Sequence, residues 1–221
     1  MRIAVVQFPG SNCDRDTVHV LSNVLGLDAR LIWHRDFEDD SFDAAVLPGG
    51  FSFGDHLRAG AIAAHSVAMR TIRKMADQRK PILGICNGFQ ILIEAGLLPG
   101  ALLRNSCLRF VCKWTTLQVE NPDTPFTCAL EKNSKVRMPI AHNEGRFFAD
   151  AKSLNSLRDS GQIIMRYSNE NPTGTTEEIV SVSNWNRNVV GMMPHPERAS
   201  SPLLGGDDGL KVFKSMMEWT P

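Results

Sequence analysis

Apolar and polar positions fall into two textures along this chain, and the change comes near residue 105. In the first half, "RIAVVQF" (2–8) is a continuous β-rich apolar run that suits a strand buried on both faces, and "DRDTVHVLSNVLG" (14–26) carries apolar residues at helical spacing up to a glycine. "ARLIWH" (29–34) and "DAAVLP" (43–48) predict two further short strands. "RAGAIAAHSVAMRTIRKMADQ" (58–78) predicts a long helix, "PILGIC" (81–86) a strand, and "NGFQILIEAG" (87–96) a helix closed by glycine. Strands alternating with helices imply an open, mostly parallel sheet flanked by helices.

Beyond residue 105, "CLRFVCKWTTLQVE" (107–120), "KVRMPIAH" (135–142), "GQIIMRYS" (161–168), "EIVSVSNW" (178–185) and "NVVGMMP" (188–194) predict strands separated by turn-rich loops. "DDGLKVFKSMMEW" (207–219) predicts an amphipathic helix with aspartates in its first turn, where the helix dipole favours them. Repeats, low-complexity segments and long linkers are absent from the sequence. The strand-rich part therefore reads as an antiparallel addition to an α/β unit, and the expected organisation is one domain over 1–221.

Length agrees, since 221 residues suit one compact unit with a substantial core. Lys plus Arg and Asp plus Glu are both 24, with no long run of one sign, so nothing predicts a nucleic acid or membrane-surface partner. The opening "MRIAVVQFPGSN" turns polar too soon for a signal peptide, and no stretch approaches the roughly 20 apolar residues of a membrane span. A cytoplasmic protein is expected. The five cysteines (13, 86, 107, 112, 128) include no C-x-x-C pair, which predicts thiols rather than disulfides or a metal site.

Ligands of open α/β sheets bind beyond the carboxyl ends of the strands, where three glycine-marked loops fall: "FPGSNCD" (8–14), "PGGFSFGD" (48–55) and "GICNGFQ" (84–90). The last has the G-x-nucleophile-x-G layout of a nucleophile elbow, with Cys86 at its centre. A strand that turns directly into a helix strains the central residue, and its neighbours two positions away, Gly84 and Gly88, avoid collision by lacking Cβ. The turn also places Cys86 at a helix start, where unpaired N–H groups and the dipole favour a thiolate. It leaves the N–H of Asn87 facing the reacting centre, and Gly50 or its neighbour offers the second oxyanion donor.

A cysteine nucleophile needs a base, and His195 in "GMMPHPER" (191–198) is the best placed of six histidines. Prolines on both sides hold the backbone extended, so His195 and Glu197 project to one side. The carboxylate can then orient one imidazole nitrogen and leave the other for Cys86, the logic of a catalytic triad. Alone, G-x-C-x-G also fits a buried turn, because free cysteine is among the most buried residue types. Cys107, Cys112 and Cys128 read as packing residues in strands, Cys13 as a loop thiol near the site with some access, and His142 in "AHNEGRF" as a loop-ordering residue. On residues alone, a cysteine peptidase, a γ-glutamyl hydrolase or a non-catalytic subunit on the same fold stays open.

The G-x-C-x-G-x-Q string with a later H-x-E resembles the class I, triad-type glutamine amidotransferases. Together, "FPGSNCD", "GGFSFGDHLRAGAIA", "CNGFQIL", "LLPGALLRN", "LRF" and "GMMPHPERA" resemble more narrowly the glutaminase subunits of phosphoribosylformylglycinamidine synthases, over residues 3 to about 213. That resemblance implies a flavodoxin-like sheet and hydrolysis of L-glutamine by Cys86, His195 and Glu197, with Gly50 and Asn87 as oxyanion donors. It also implies substrate contacts from Phe51, Gln90, Arg109 and Phe110. No cofactor is expected in this chain, which lacks G-x-x-x-x-G-K-[ST]. ATP and magnesium are expected on a large synthetase subunit, joined by a small bridging subunit, that turns formylglycinamide ribonucleotide into formylglycinamidine ribonucleotide in de novo purine biosynthesis. Two departures are visible: Ala59 stands where many members have cysteine, and "HNEG" (142–145) where many have His-Gly-Glu-Gly.

Overall fold

A computed structural model of the chain describes residues 1–38 and 41–220. The strands are β1 (Arg2–Gln7), β2 (Asp28–Trp33), β3 (Ala44–Leu47), β4 (Ile82–Ile85), β5 (Ala101–Leu103), β6 (Val111–Val119), β7 (Lys135–His142), β8 (Arg146–Phe148), β9 (Ile163–Tyr167), β10 (Ile179–Ser183) and β11 (Val189–Met192). The α-helices are α1 (Asp14–Val18), α2 (Ala68–Asp77), α3 (Asn87–Glu94), α4 (Ala151–Asp159) and α5 (Leu210–Glu218). One 9-stranded sheet has the order β2-β1-β3-β4-β11-β10-β9-β6-β7, and β5 pairs with β8 apart from it. Neighbours from β2 to β11 are parallel, and those from β11 to β7 are antiparallel.

This is the expected class, a mostly parallel sheet with an antiparallel extension, but β11 sits in an unexpected place. It was grouped with the strand-rich half by its position in the chain. Instead it enters the parallel part beside β4, with Val189 opposite Ile82 and Met192 opposite Ile85. Strands β3, β4 and β11 are buried along their whole length, which is why each reads as an unbroken apolar run. Helix α3 packs across β3, β4 and β11.

Several expectations need correction. The helix expected over 58–78 forms only from Ala68, after turns and a short 3₁₀ segment, Ala63–His65. Gly60 explains the break: its φ is +82°, and a Cβ there would lie 2.7 Å from the Ile91 nitrogen, so the chain lies directly against α3. The helix over 14–26 begins as α1 and widens into a π-helical stretch, His19–Val24, with Leu25 N–H donating to the Val20 carbonyl at 3.0 Å. The strand at 107–120 starts at Val111, because Leu108 takes a φ of +55° in a turn. Helix α4 and strands β5 and β8 went unread; α4 is capped by Asp150, whose carboxylate accepts from Ser153 N–H at 2.7 Å.

Steric demands at the elbow are visible in the glycines. A Cβ on Gly88 would lie 1.9 Å from the Leu47 carbonyl oxygen, and one on Gly84 would lie 2.7 Å from the Gly88 carbonyl carbon. Both glycines therefore let α3 approach β3 and β4 closely. We expect Gly88→Ala to destabilise the fold by about 3 kcal/mol or more in urea unfolding, as a backbone clash in a packed core. Gly26→Ala, where a Cβ meets nothing within 4 Å and only a φ of +69° opposes it, should cost about 1 kcal/mol.

Candidate active site

Cys86, between the end of β4 and the start of α3, has φ +49° and ψ −101°, a conformation rare for a residue with a side chain. Strain of this kind costs on the order of 1–3 kcal/mol and persists only where the surroundings impose it. Here the Cys86 N–H donates to the Met192 carbonyl at 2.7 Å, and Gln90 N–H closes the first turn of α3 onto the Cys86 carbonyl at 3.1 Å. The side chain is 5% exposed and sits where two cavities meet.

His195 follows β11 and is fastened by its own N–H to the Pro139 carbonyl on β7 at 2.9 Å. Its Nδ1 lies 2.6 Å from Glu197 Oε1, with both side chains buried. Among the described residues no hydrogen bond uses Nε2, which is the nitrogen left for chemistry. Burial alone would push the His195 pKa down; Glu197, followed by Cys86 and Cys13, outweighs it and holds the group well above the usual imidazole range. A buried imidazole that keeps a proton is suited to protonate a departing amine.

The loop after β3 supplies the second wall. Gly50 has a φ of +153° and leaves no room for a Cβ, which would fall 2.7 Å from the Ser11 Cα. Phe51 N–H is taken by the Gly10 carbonyl at 2.9 Å and Ser52 N–H by Asn87 Oδ1 at 3.1 Å. Among the described residues the Gly50 N–H donates to no backbone or side-chain acceptor. Asn87, the first residue of α3, thus ties the Gly50 loop to the elbow, while its own N–H belongs to the unpaired start of the helix. Its Nδ2 donates to Gln90 Oε1 at 2.9 Å, and Gln90 Nε2 donates to the Glu144 carbonyl at 2.6 Å.

Cys86, Gly50 and Phe51 border both cavities. One, of about 220 Å³, adds His195, Cys13, Phe110 and Arg198; the other, of about 230 Å³, adds Gln90, Asp55, Arg104, His142 and Glu144. Arg109 borders neither: it is exposed, and its carbonyl accepts from Asn105 Nδ2 at 3.0 Å. A larger cleft of about 570 Å³ near Trp114 and Leu204 reaches Glu197 from behind, but Cys86 does not line it.

Cys13 is buried rather than accessible, at 1% exposure, because the Gly49 carbonyl accepts its N–H at 3.2 Å and draws the loop under His195. Its Sγ accepts from Arg198 Nη2 at 3.0 Å. Cys13, His195 and Glu197 have ligand-type atoms within 4.8 Å of one another, yet a guanidinium on the sulfur and the His195–Glu197 bond oppose a cation there. Cys112 is exposed rather than packed, since the first part of β6 pairs only with β7, and Cys107 is exposed in the turn that precedes this strand. Asn105, also missed by sequence reasoning, is fully buried and donates to the His142 carbonyl at 2.9 Å, fixing the loop that carries His142 to Gly145.

With this geometry established, comparison with known proteins gives the class. A family model described as a CobB/CobQ-like glutamine amidotransferase domain matches residues 1–219, and the chain belongs to that family. It is 51% identical to phosphoribosylformylglycinamidine synthase subunit PurQ of Methanosarcina barkeri over 99% of this chain and 98% of the relative. The same subunit of Methanosarcina acetivorans is 50% identical with the same coverage. A solved structure of PurLQS from Thermotoga maritima superposes with a TM-score of 0.89 at 48% identity, covering 98% of this chain and 97% of that one.

His142 generates a prediction about acid stability. It is 3% exposed with both ring nitrogens unbonded among the described residues, and burial, then His195, pushes its pKa down to about 3. Below about pH 6.5 the unfolded chain takes up a proton at His142 that the folded chain refuses, so this group's contribution to stability is lost as pH falls. Urea unfolding of His142→Asn between pH 6.5 and 4 should show a shallower fall than the parent, by up to about 1.4 kcal/mol per pH unit.

Proposed function

We propose that this chain hydrolyses L-glutamine to glutamate and ammonia through a thioester on Cys86, as the glutaminase subunit of a phosphoribosylformylglycinamidine synthase in purine biosynthesis. The observation that carries the chemistry is the buried His195–Glu197 pair at 2.6 Å beside a thiol on a strained elbow. His195 holds the proton of the cysteine–histidine pair while Cys86 sulfur bonds to the amide carbon. The same proton goes to the nitrogen as the C–N bond breaks, releasing ammonia. Water then attacks the thioester, His195 accepts its proton, and glutamate leaves as the thiol is restored. The N–H groups of Gly50 and Asn87 stabilise both oxyanions; one such donor is worth about 10²–10³ in rate. In this scheme Phe51 and Gln90 shape the substrate side, and Phe110 borders the histidine side.

Ammonia requires a consumer. The relatives' names and the PurLQS neighbour support a synthetase and a small subunit as partners. We assign ATP and magnesium to the synthetase, place the reaction in the cytoplasm, and treat 1–221 as one glutaminase unit. No helix among the described residues is long and apolar enough to cross a membrane. In the assembled complex, Cys86→Ala should abolish glutamine-dependent synthesis while ammonium salts still support it; equal loss with both nitrogen sources would contradict the assignment. The purified single chain should be a weak glutaminase, because partner contact completes the site, and turnover equal to that of the complex would refute this.

A further inference from the structure

Glu197 alone does not fix the imidazole of His195. A single hydrogen bond, Glu197 Oε1 to His195 Nδ1 at 2.6 Å, acts as a hinge on which the ring can rock, and Nε2 has no hydrogen bond among the described residues to stop it. The loop before α1 supplies the missing restraint. His195 Cε1 lies 2.7 Å from the point that a Gly49 Cβ would occupy, and Cys13 Sγ lies 3.1 Å from the same point, so ring edge, sulfur and glycine backbone are packed on one another. Cys13 Sγ is within 4.8 Å of a ring nitrogen. Cε1 stands between the two nitrogens, so a group packed there restrains the ring between the atom bonded to Glu197 and the atom left for Cys86.

A second, independent feature is that the sulfur is itself fastened. Arg198 Nη2 donates to it at 3.0 Å, and the thiol donates to Asn12 Oδ1 at 3.2 Å. Thr17 holds the backbone, its N–H and hydroxyl both donating to the Cys13 carbonyl at 3.0 and 2.8 Å. A cysteine that only filled space would have no use for a guanidinium. The charged and titratable groups about this histidine are Glu197 and Arg198 on its own segment, Cys86 at the elbow, His142 on β7 and Cys13; Asp16 of α1 acts on Arg198. Burial disfavours a proton on His195, and Glu197, Cys86 and then Cys13 more than offset it. Arg198, a cation lining the same cavity, opposes that proton unless its charge is taken up by the sulfur.

We propose that Cys13 is a positioning residue for His195: its sulfur, tethered by Arg198, stops the imidazole from rocking on the Glu197 bond and keeps Nε2 aimed at Cys86. This rests on the glutaminase reading and goes beyond a packing role, because it touches the protonation of the base as well as its place. The assembled complex is assayed for ammonia release from glutamine across pH. Cys13→Ala should lower kcat by about 10- to 100-fold, the scale of a catalytic group misplaced by up to about 1 Å, with KM within about twofold of the parent. Activity needs the protonated ring, so it is lost as pH rises through the His195 pKa. Without the sulfur that pKa falls, and the alkaline limb should move to lower pH by about one unit, a tenfold change in the proton equilibrium. Cys13→Ser, whose hydroxyl can still accept from Arg198, should bring kcat back to within about fivefold of the parent. A kcat close to the parent's, a loss carried by KM, an alkaline limb left in place, or a serine variant no better than alanine would overturn the assignment. If Cys13→Ala fails to fold, Cys13→Val, apolar and of similar volume, is read by the same criteria. Failure of the parent complex to release ammonia from glutamine would instead sink the glutaminase reading itself.

Discussion

The parallel pairing of β4 with β11 is the constraint on which the site depends. It joins segments about a hundred residues apart and sets them in register, Ile85 opposite Met192, so that both chains leave the sheet at the same edge. The Cys86 N–H bond to the Met192 carbonyl extends that ladder by one residue into the elbow. Three residues beyond Met192 stands His195. Nucleophile and base thus reach one another because two buried strands pair, and no flexible loop has to bring them together.

Around that axis, steric and polar constraints agree. Gly88 lets α3 lie against the Leu47 carbonyl, and this close approach puts Asn87 within reach of Ser52, where its side chain holds the Gly50 loop. The strained conformation of Cys86 is held in place by these contacts. Glu197 and His195 illustrate the electrostatic side: either charge alone would be costly at this depth, and the short bond between them makes the pair tolerable. Arg198 adds its guanidinium at Cys13, next to the same histidine, so one short segment carries the base, its orienting carboxylate and a cation.

Much of this was legible in the chain. The strands at 2–8, 43–48, 81–86 and 135–142 were readable because each is apolar or alternating over its own length. The elbow was readable because a strand-to-helix turn demands small residues at fixed offsets. Helix 58–78 was overread, because helical spacing in "RAGAIAAHS" says nothing of the backbone of α3 that crosses Gly60. Helix α4 was missed because only Leu154 and Leu157 are buried in it, too few to give a period. Arg109 is expected at the substrate by resemblance alone; the arginines that line the two cavities at Cys86 are Arg104 and Arg198.

By itself the sequence determined the local chemistry: a cysteine on a sharp turn, a histidine and glutamate held to one side by prolines, and glycine loops at strand ends. These follow from short-range sterics and backbone restriction, which act within a few residues. Only the tertiary structure decided that β11 enters the parallel part of the sheet, that Cys13 lies buried beneath His195, and that His142, Asp55, Arg104 and Glu144 share one cavity. Those outcomes depend on the order in which distant strands pair and on which face each loop covers. No period or spacing in the chain encodes them, because the contacts are made between segments that meet only once the sheet is complete.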